Sequence, residues 1–266
     1  MRIHSFLLLM VLGLALSACY VGTPYGQPAP VAEGQLRITF APLVEGQPFQ
    51  AGRAYTTATG VRHDFSNFEF YLTDLRLVRA NGEDTLLGDL FVDVMENELY
   101  TPETVINGLT LTVPVPAADY QGIRFNVGVP TPRNNGDPSL YGSSHPLSPN
   151  RGMFWVWASG YIFMNVEGRY DTTGGVGSDL EGDYLFHAGR NELFRELSFS
   201  EGFRVEQDRT QRMQIGVDMA RSLYRAGDSI DLTVDNFTHS APPDGLILGQ
   251  RIIDNVEAGV FSISFP

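Results

Sequence analysis

Both tryptophans of the chain, Trp155 and Trp157, lie two positions apart in the segment RGMFWVWASGYIF. Residues two apart in a β-strand point to the same face of the sheet. The spacing therefore predicts both indoles, together with Met153, on one surface of a strand. Such a pair either packs as a structural aromatic cluster or belongs to a functional site, and the spacing alone leaves both interpretations open.

Histidine is the second residue type that could carry chemistry. Neutral imidazole binds copper, zinc and iron, and two imidazoles with one further donor suit Cu(I). None of the histidines that follow the N-terminal segment is close to another in the sequence, so any metal site must be assembled from distant strands. These histidines are His63, His145, His187 and His239.

The N-terminus has the pattern of a secreted protein. Arg2 precedes an apolar run over residues 6–16, and the small residues that follow lead to Cys19, the single cysteine. The run is typical of a signal peptide, and Leu-Ser-Ala-Cys resembles the lipobox of bacterial lipoproteins. We therefore predict that residues 1–18 are removed and that lipids on Cys19 anchor the protein in the membrane.

Charge excludes one class of partner. The chain has 31 acidic residues against 18 basic ones, for a net charge of −13, and every basic residue is arginine. Nucleic acids are bound through patches of positive charge. A nucleic-acid-binding function is therefore not expected.

The elements that must position the tryptophans and histidines are mostly strands. Residues 19–34 are rich in proline and glycine and predict a tether, whereas residues 35–266 predict one domain. QLRITF alternates apolar and polar residues from Gln35, and Asn81-Gly82 between two such runs predicts a hairpin. A second pair of strands is predicted over 109–115 and 120–130.

Further strand patterns include the tryptophan segment, over residues 152–168, and the only helix predicted is a short one over 218–224 with Asp218 as its N-cap. Regularly spaced strands with turn-rich connections are typical of all-β folds. We predict an antiparallel β-sandwich, either Ig-like or barrel-like, with one short helix.

The order of motifs gives a more specific indication. In chain order they are FSNFEFYLTDLRLV, FNVGVPTPRNNGDP, HPLSPNRGMFWVWASGYIFMNVEG, YLFHAG, FTHS and RIIDN. Together they resemble the MbnP family, copper-binding proteins of the periplasm or envelope that are associated with methanobactin operons. The resemblance extends from Phe65 to the C-terminus.

The resemblance implies a site and a partner. Studied members bind copper, as Cu(I) rather than Cu(II), through two histidines beside a tryptophan that has been oxidised to kynurenine. A di-haem, peroxidase-like protein of the MbnH type performs that oxidation. In this chain the resemblance implies that Trp155 or Trp157 is the modified residue and that His187 is a ligand.

The second ligand stays open. His187 with His145 is the first pair to consider, because His145 shortly precedes the tryptophan segment, and either His63 or His239 could replace His145. Some branches of the family have Asn-His after the GVP motif, where this chain has Asn134-Asn135, so its ligand set could differ.

We therefore expect a lipid-anchored protein of the bacterial envelope, in the outer membrane and facing the periplasm or the surface. It would bind copper for uptake, storage or delivery and would not be an enzyme. One alternative is a metal-free surface binding or adhesion module with a structural tryptophan pair. A second is a metalloenzyme that uses the same cluster with an open coordination position.

Overall fold

Strands are the main regular element of the protein. The structure is a computed structural model that describes residues 31–102, 105–158, 160–173 and 179–266. The predicted signal peptide, Cys19 and most of the predicted tether lie outside the described residues. Residues Ala32–Pro266 form one unit.

The strands of this unit are short at the periphery and long at the centre. In chain order they are β1 (Glu33–Val44), β2 (Gln47–Pro48), β3 (Tyr55–Thr56), β4 (Arg62–His63), β5 (Asn67–Arg79), β6 (Thr85–Asp93), β7 (Glu98–Tyr100), β8 (Val105–Asn107), β9 (Thr110–Pro116), β10 (Ala118–Val127), β11 (Phe154–Trp155), β12 (Gly160–Tyr170), β13 (Gly182–Gly189), β14 (Arg195–Phe199), β15 (Phe203–Val205), β16 (Thr210–Asp218), β17 (Tyr224–Arg225), β18 (Asp228–Ser229), β19 (Phe237–Thr238) and β20 (Phe261–Ser264).

Helices are few and lie mainly in the connections. The α-helices are α1 (Thr131–Asn134) and α2 (Asp244–Gly259), and single 3₁₀ turns cover Pro138–Leu140, Pro149–Arg151, Asn191–Leu193 and Met219–Ser222. Within the described residues, no helix has both the length and the apolar character needed to cross a membrane.

Two sheets form the framework. The smaller sheet has the order β2-β1-β16-β20, and β9 also pairs with β1. The larger sheet is built on the order β19-β13-β12-β5-β6-β7-β8, and β10 joins it beside β5. Most pairs are antiparallel, whereas β1 with β16 and β13 with β19 are parallel. The predicted all-β sandwich is confirmed.

Aromatic side chains join the two sheets in the core. Phe40 of the smaller sheet contacts Phe70 of the larger one with ring centroids 6.3 Å apart. Phe261 of the smaller sheet meets Phe70 at 5.3 Å and Phe125 at 5.4 Å. These rings are edge to face, the arrangement that aromatic quadrupoles favour. The core is therefore continuous from one sheet to the other.

The hairpin at Asn81-Gly82 is confirmed, because β5 and β6 pair antiparallel on either side of it and Gly82 has a φ of 80°. The second predicted pair is wrong in its pairing. β9 bonds to β1 in the smaller sheet, whereas β10 bonds to β5 in the larger sheet. The chain changes sheets between these strands, and the period-two pattern cannot distinguish a hairpin from such a crossing.

The tryptophan segment also departs from the prediction. β11 ends at Trp155, residues 156–158 form a turn, and the chain returns as β12 with Trp155 opposite Gly160. Gly160 lets the side chain of Asn134 approach the start of β12 closely, because a Cβ at this position would lie 3.3 Å from Oδ1 of Asn134. Trp157 therefore lies in a turn and not on the same strand as Trp155.

The helix prediction found a minor element and missed a major one. Residues 219–222 form a 3₁₀ turn, but the Asp218 side chain does not cap it and instead accepts the N–H groups of Glu45 and Gly46. The missed helix is α2, which buries a face that includes Leu248, Ile252 and Val256. These positions are four apart, the spacing of an amphipathic helix.

Candidate functional site

The edge of the larger sheet brings two distant histidines together. β13 and β19 pair in parallel with Phe186 opposite Thr238. Continuing the same register by one residue sets His187 beside His239, just past the end of β19. The carbonyl of His187 accepts a hydrogen bond from the Ser240 hydroxyl at 2.8 Å, which fastens the segment after β19 to β13.

The two imidazoles face each other through the same kind of atom. Nδ1 of His187 lies 3.1 Å from Nδ1 of His239, and the ring centroids are 4.8 Å apart. On its other side, Nε2 of His187 lies 2.8 Å from Oε1 of Glu167. A carboxylate can only accept, so Nε2 carries a proton, and in the neutral ring Nδ1 of His187 keeps its lone pair.

The surroundings of His239 favour its neutral form. Partial burial lowers the pKa of His239, and the neighbouring positive charge of a protonated His187 lowers it further. A neutral imidazole is the form that binds metals. His187 can therefore offer its Nδ1 lone pair to the space between the rings, and neutral His239 can do the same once its proton is on Nε2.

Trp155 covers this pair from one side. Its ring centroid lies 6.4 Å from that of His187 and 6.1 Å from that of His239, and the residue is 6% exposed. Gly189 makes this position possible, because a Cβ there would lie 2.8 Å from Cζ3 of Trp155 and 2.5 Å from the carbonyl oxygen of Tyr161. The indole therefore rests on bare backbone of β13.

Trp157 forms the outer rim of the same site. Its ring lies 5.3 Å from that of Trp155 and 6.5 Å from that of His239, yet the residue is 62% exposed. Phe237 is also largely exposed and contacts His239 at 4.8 Å. The two tryptophans therefore share the site, one inside it and the other at its solvent edge.

The other two candidate histidines lie in different surroundings. His63 is 1% exposed, has Nδ1 3.3 Å from the Tyr184 hydroxyl, and packs edge to face on Phe65. Tyr184 is three residues from His187 in the same strand, so the two side chains point to opposite faces of the sheet. The side chain of His63 therefore lies on the opposite face of the sheet from the pair.

His145 lies in the loop before the tryptophan segment. It stacks on Tyr141 with centroids 4.4 Å apart, and its Nδ1 accepts the N–H of Leu147 at 3.0 Å. In the described part of the chain, His187 contacts His239 and not His145. The pairing to consider is thus His187 with His239, which the sequence named only as a replacement.

The pair fits a metal ion of low coordination number. A separation of 3.1 Å is less than twice a metal–nitrogen bond of about 2 Å, so one ion can reach both Nδ1 atoms. Residues 31–102, 105–158, 160–173 and 179–266 contain no group of three or more His, Cys, Asp or Glu side chains arranged for a metal. Two nitrogens without a carboxylate in front suit a soft, singly charged ion better than a hard divalent one.

Glu167 is the functional residue that sequence reasoning missed. It lies on β12, two residues after Asn165, which pairs directly with His187. Asn165 in turn donates to Glu69 at 2.9 Å, and burial raises the pKa of Glu69 to about 7. An available signal was the polar pair Asn165 and Glu167 within the otherwise apolar run of β12.

Comparison with known proteins gives two findings. The family model for MbnP matches residues 33–240. Among solved structures, the chain is similar to MbnP from Methylosinus trichosporium, with a TM-score of 0.54 and 16% sequence identity, over 88% of this chain and 99% of that one. No curated protein matches the chain by sequence. At this level of identity, the structural match supports a common fold.

Proposed function

Because the chain belongs to the MbnP family, we propose that it binds copper through His187 and His239 and serves copper uptake, storage or delivery. Membership of the family supports a methanobactin-associated protein of the periplasm. Copper is the cargo in this proposal, and the protein is a binding protein, not an enzyme.

The observation that carries the proposal is the facing pair of Nδ1 atoms at 3.1 Å. Glu167 holds the proton of His187 on the rear nitrogen, so no proton blocks the front of that ring. The lowered pKa of His239 keeps the second ring available near neutral pH. In the Nδ1···Nδ1 contact the proton lies on His239, so copper binding then requires that proton to move from Nδ1 to Nε2 of His239.

The tryptophans supply the third part of the proposal. Conversion of Trp155 or Trp157 to kynurenine would place polar groups beside the pair, because both indoles lie within 6.5 Å of the ring of His239. The oxidant would be a di-haem, peroxidase-like partner of the MbnH type. Trypsin cleavage after Arg151 and Arg169 releases both tryptophans in one peptide, whose mass reports the change.

Location completes the proposal. Lipids on Cys19 would hold the domain at the outer membrane, facing the periplasm or the surface. Radiolabelled palmitate incorporated by the wild-type chain but not by the Cys19→Ala variant would test this anchor.

The central experiment measures copper retention. Purified protein is loaded with Cu(I) without oxygen and dialysed against a competing chelator, and bound copper is measured by mass spectrometry. We expect wild type to retain copper, and His187→Gln and His239→Gln to bind it about 100-fold or more weakly, because each removes a ligand. His145→Gln is the matched control and should bind like wild type.

Two results would contradict the proposal. Wild type that loses its copper as readily as both variants would favour a metal-free binding module with a structural tryptophan pair. Equal loss of copper in His145→Gln would instead mean that the ligand set is different.

Protein from a host with a di-haem partner and from one without it should be compared, so that the state of the tryptophans is known in each assay.

A further inference from the structure

A second polar site borders Trp155, and neither His187 nor His239 lines it. A cavity of about 140 Å³ is bordered by Trp155, Arg190, Glu192 and three asparagines, Asn134, Asn135 and Asn191. Most of these side chains are polar, and the arrangement of their donors and acceptors indicates what the cavity can hold.

The asparagines form a chain with a fixed direction. The backbone N–H of Tyr161 can only donate, and it lies 2.7 Å from Asn134, whose Oδ1 is therefore the acceptor. Nδ2 of Asn134 then donates to Oδ1 of Asn191 at 2.8 Å. Nδ2 of Asn191 donates to Oδ1 of Asn135 at 3.4 Å. The amide chain thus ends on Nδ2 of Asn135, which is a donor.

Arg190 adds a second surplus of donors. Its Nε is buried and has no hydrogen-bond partner within the described chain. Its backbone has a φ of 92° and a ψ of 152°, a region that residues other than glycine rarely adopt. An arginine held in a glycine conformation with a buried, unpaired Nε is unusual for a purely structural residue, because burying an unpaired donor is unfavourable.

We propose that this cavity binds a small carboxylate anion. The planar guanidinium of Arg190 matches a carboxylate with two parallel N–H···O bonds, and Nδ2 of Asn135 supplies a third donor. The volume corresponds to about four or five water molecules at about 30 Å³ each. A molecule of about the size of acetate therefore fits, and the indole of Trp155 packs against its apolar end.

The acidic residue at the cavity reduces the affinity of this site. Glu192 is exposed at the border and repels an anion, although solvent screens exposed charges. Removal of its charge should therefore strengthen anion binding, whereas removal of the charge of Arg190 should weaken it. This opposite response of two neighbouring residues is specific to an anion site.

The test uses the metal-free full chain, so that it does not depend on copper binding. ¹⁵N-labelled protein is titrated with sodium acetate, and the Nε–H resonance of Arg190 is followed by NMR. Acetamide, which has the same shape without the charge, and sodium chloride at equal ionic strength are the controls. The same titration is repeated on Arg190→Gln, Glu192→Gln and Asn135→Ala, with tryptophan fluorescence as the readout for the first.

We expect a saturable shift with acetate and much smaller shifts with acetamide and chloride. Arg190→Gln should bind acetate about tenfold or more weakly, Asn135→Ala about threefold more weakly, and Glu192→Gln about threefold more tightly. No saturable shift, or unchanged acetate binding in Arg190→Gln, would overturn the site. An equal response to chloride would overturn its assignment to carboxylates. If Arg190→Gln does not fold, the opposite responses of Asn135→Ala and Glu192→Gln decide the question.

Discussion

Two histidine environments on opposite faces of the same sheet show what separates a structural histidine from a candidate ligand. His63 is enclosed by Phe65, Tyr55 and Tyr184, and burial lowers its pKa to about 4. The pair of His187 and His239 lies at the sheet edge with partial exposure, and only one ring is held from behind by a carboxylate.

The comparison teaches that a neutral imidazole is necessary for a metal site but not sufficient. Burial keeps His63 neutral, yet aromatic side chains occupy the space around it. The ring of His187 has a hydrogen-bond acceptor on one nitrogen and a second imidazole in front of the other. Access and orientation, more than neutrality, therefore distinguish the candidate site.

The largest expected effect is on the pH dependence of the free energy of unfolding, and it comes from replacing the buried His63. Unfolded His63 takes up a proton near pH 6.5, whereas the folded protein takes it up near pH 4. Acid therefore favours unfolding, and His63 should add a rise in the free energy of unfolding of about 3 kcal/mol between pH 4 and 6.5. His63→Gln should lack this rise in urea denaturation across that range.

Glu69 provides the matched control for this prediction. Its pKa is raised from 4.5 to about 7, so the folded state binds the proton more tightly than the unfolded state. Its contribution to stability is present below pH 4.5 and is lost as pH rises to 7. Glu69→Gln should therefore change the pH slope in the opposite direction from His63→Gln. Identical slopes in both variants would contradict these assignments.

A second, smaller effect tests the packing that covers the exposed pair. Gly189→Ala places a methyl group against Trp155 and the carbonyl of Tyr161, so one of them must move. Such overpacking costs about 1–3 kcal/mol. We expect a lower midpoint in urea denaturation and a red-shifted emission from Trp155. Gly142→Ala is a suitable control, because its Cβ would meet nothing within 4 Å. A Gly189→Ala protein that is as stable as this control would mean that the indole is loosely packed.

The smallest expected effect sharpens the role of the carboxylate behind His187. Glu167→Leu should weaken copper binding by about 10- to 100-fold, because a hydrogen-bond acceptor on the rear nitrogen orients a metal-binding imidazole. Glu167→Gln keeps an oxygen that can accept from Nε2 and should lose less. The measurement combines a chelator competition with ¹⁵N NMR of the metal-free protein, which reports the tautomer of His187 directly. If Glu167→Leu leaves the tautomer unchanged, Glu167 has no orienting role.

Sequence reasoning predicted the class of fold because alternation of apolar and polar residues is a local signal. The hairpin at Asn81-Gly82 has a similarly local cause, since both residues tolerate the turn. Partner choice between strands is not local, and for this reason the assignment of β9 and β10 to one pair was wrong. Helix α2 was missed although Leu248, Ile252 and Val256 carry its period, because strand patterns dominate the rest of the chain.

For the candidate site, the sequence predicted the residues better than it predicted their arrangement. The sequence named His187, His239 and both tryptophans, but it ranked His145 before His239 on proximity in the chain. The contact of His187 with His239 depends on the parallel pairing of β13 with β19, a register that no short motif encodes. Glu167 was missed because its partner, His187, is 20 positions away on the next strand.

That parallel pairing has a consequence for how the protein is made. Antiparallel neighbours can follow each other directly, whereas parallel neighbours require a long crossover, here within the 52 positions that separate His187 from His239. A chain that emerges N-terminus first delivers His239 only after β13 and the crossover that follows it. The contact between His187 and His239 therefore cannot form until the chain as far as β19 and His239 is available to pair with β13.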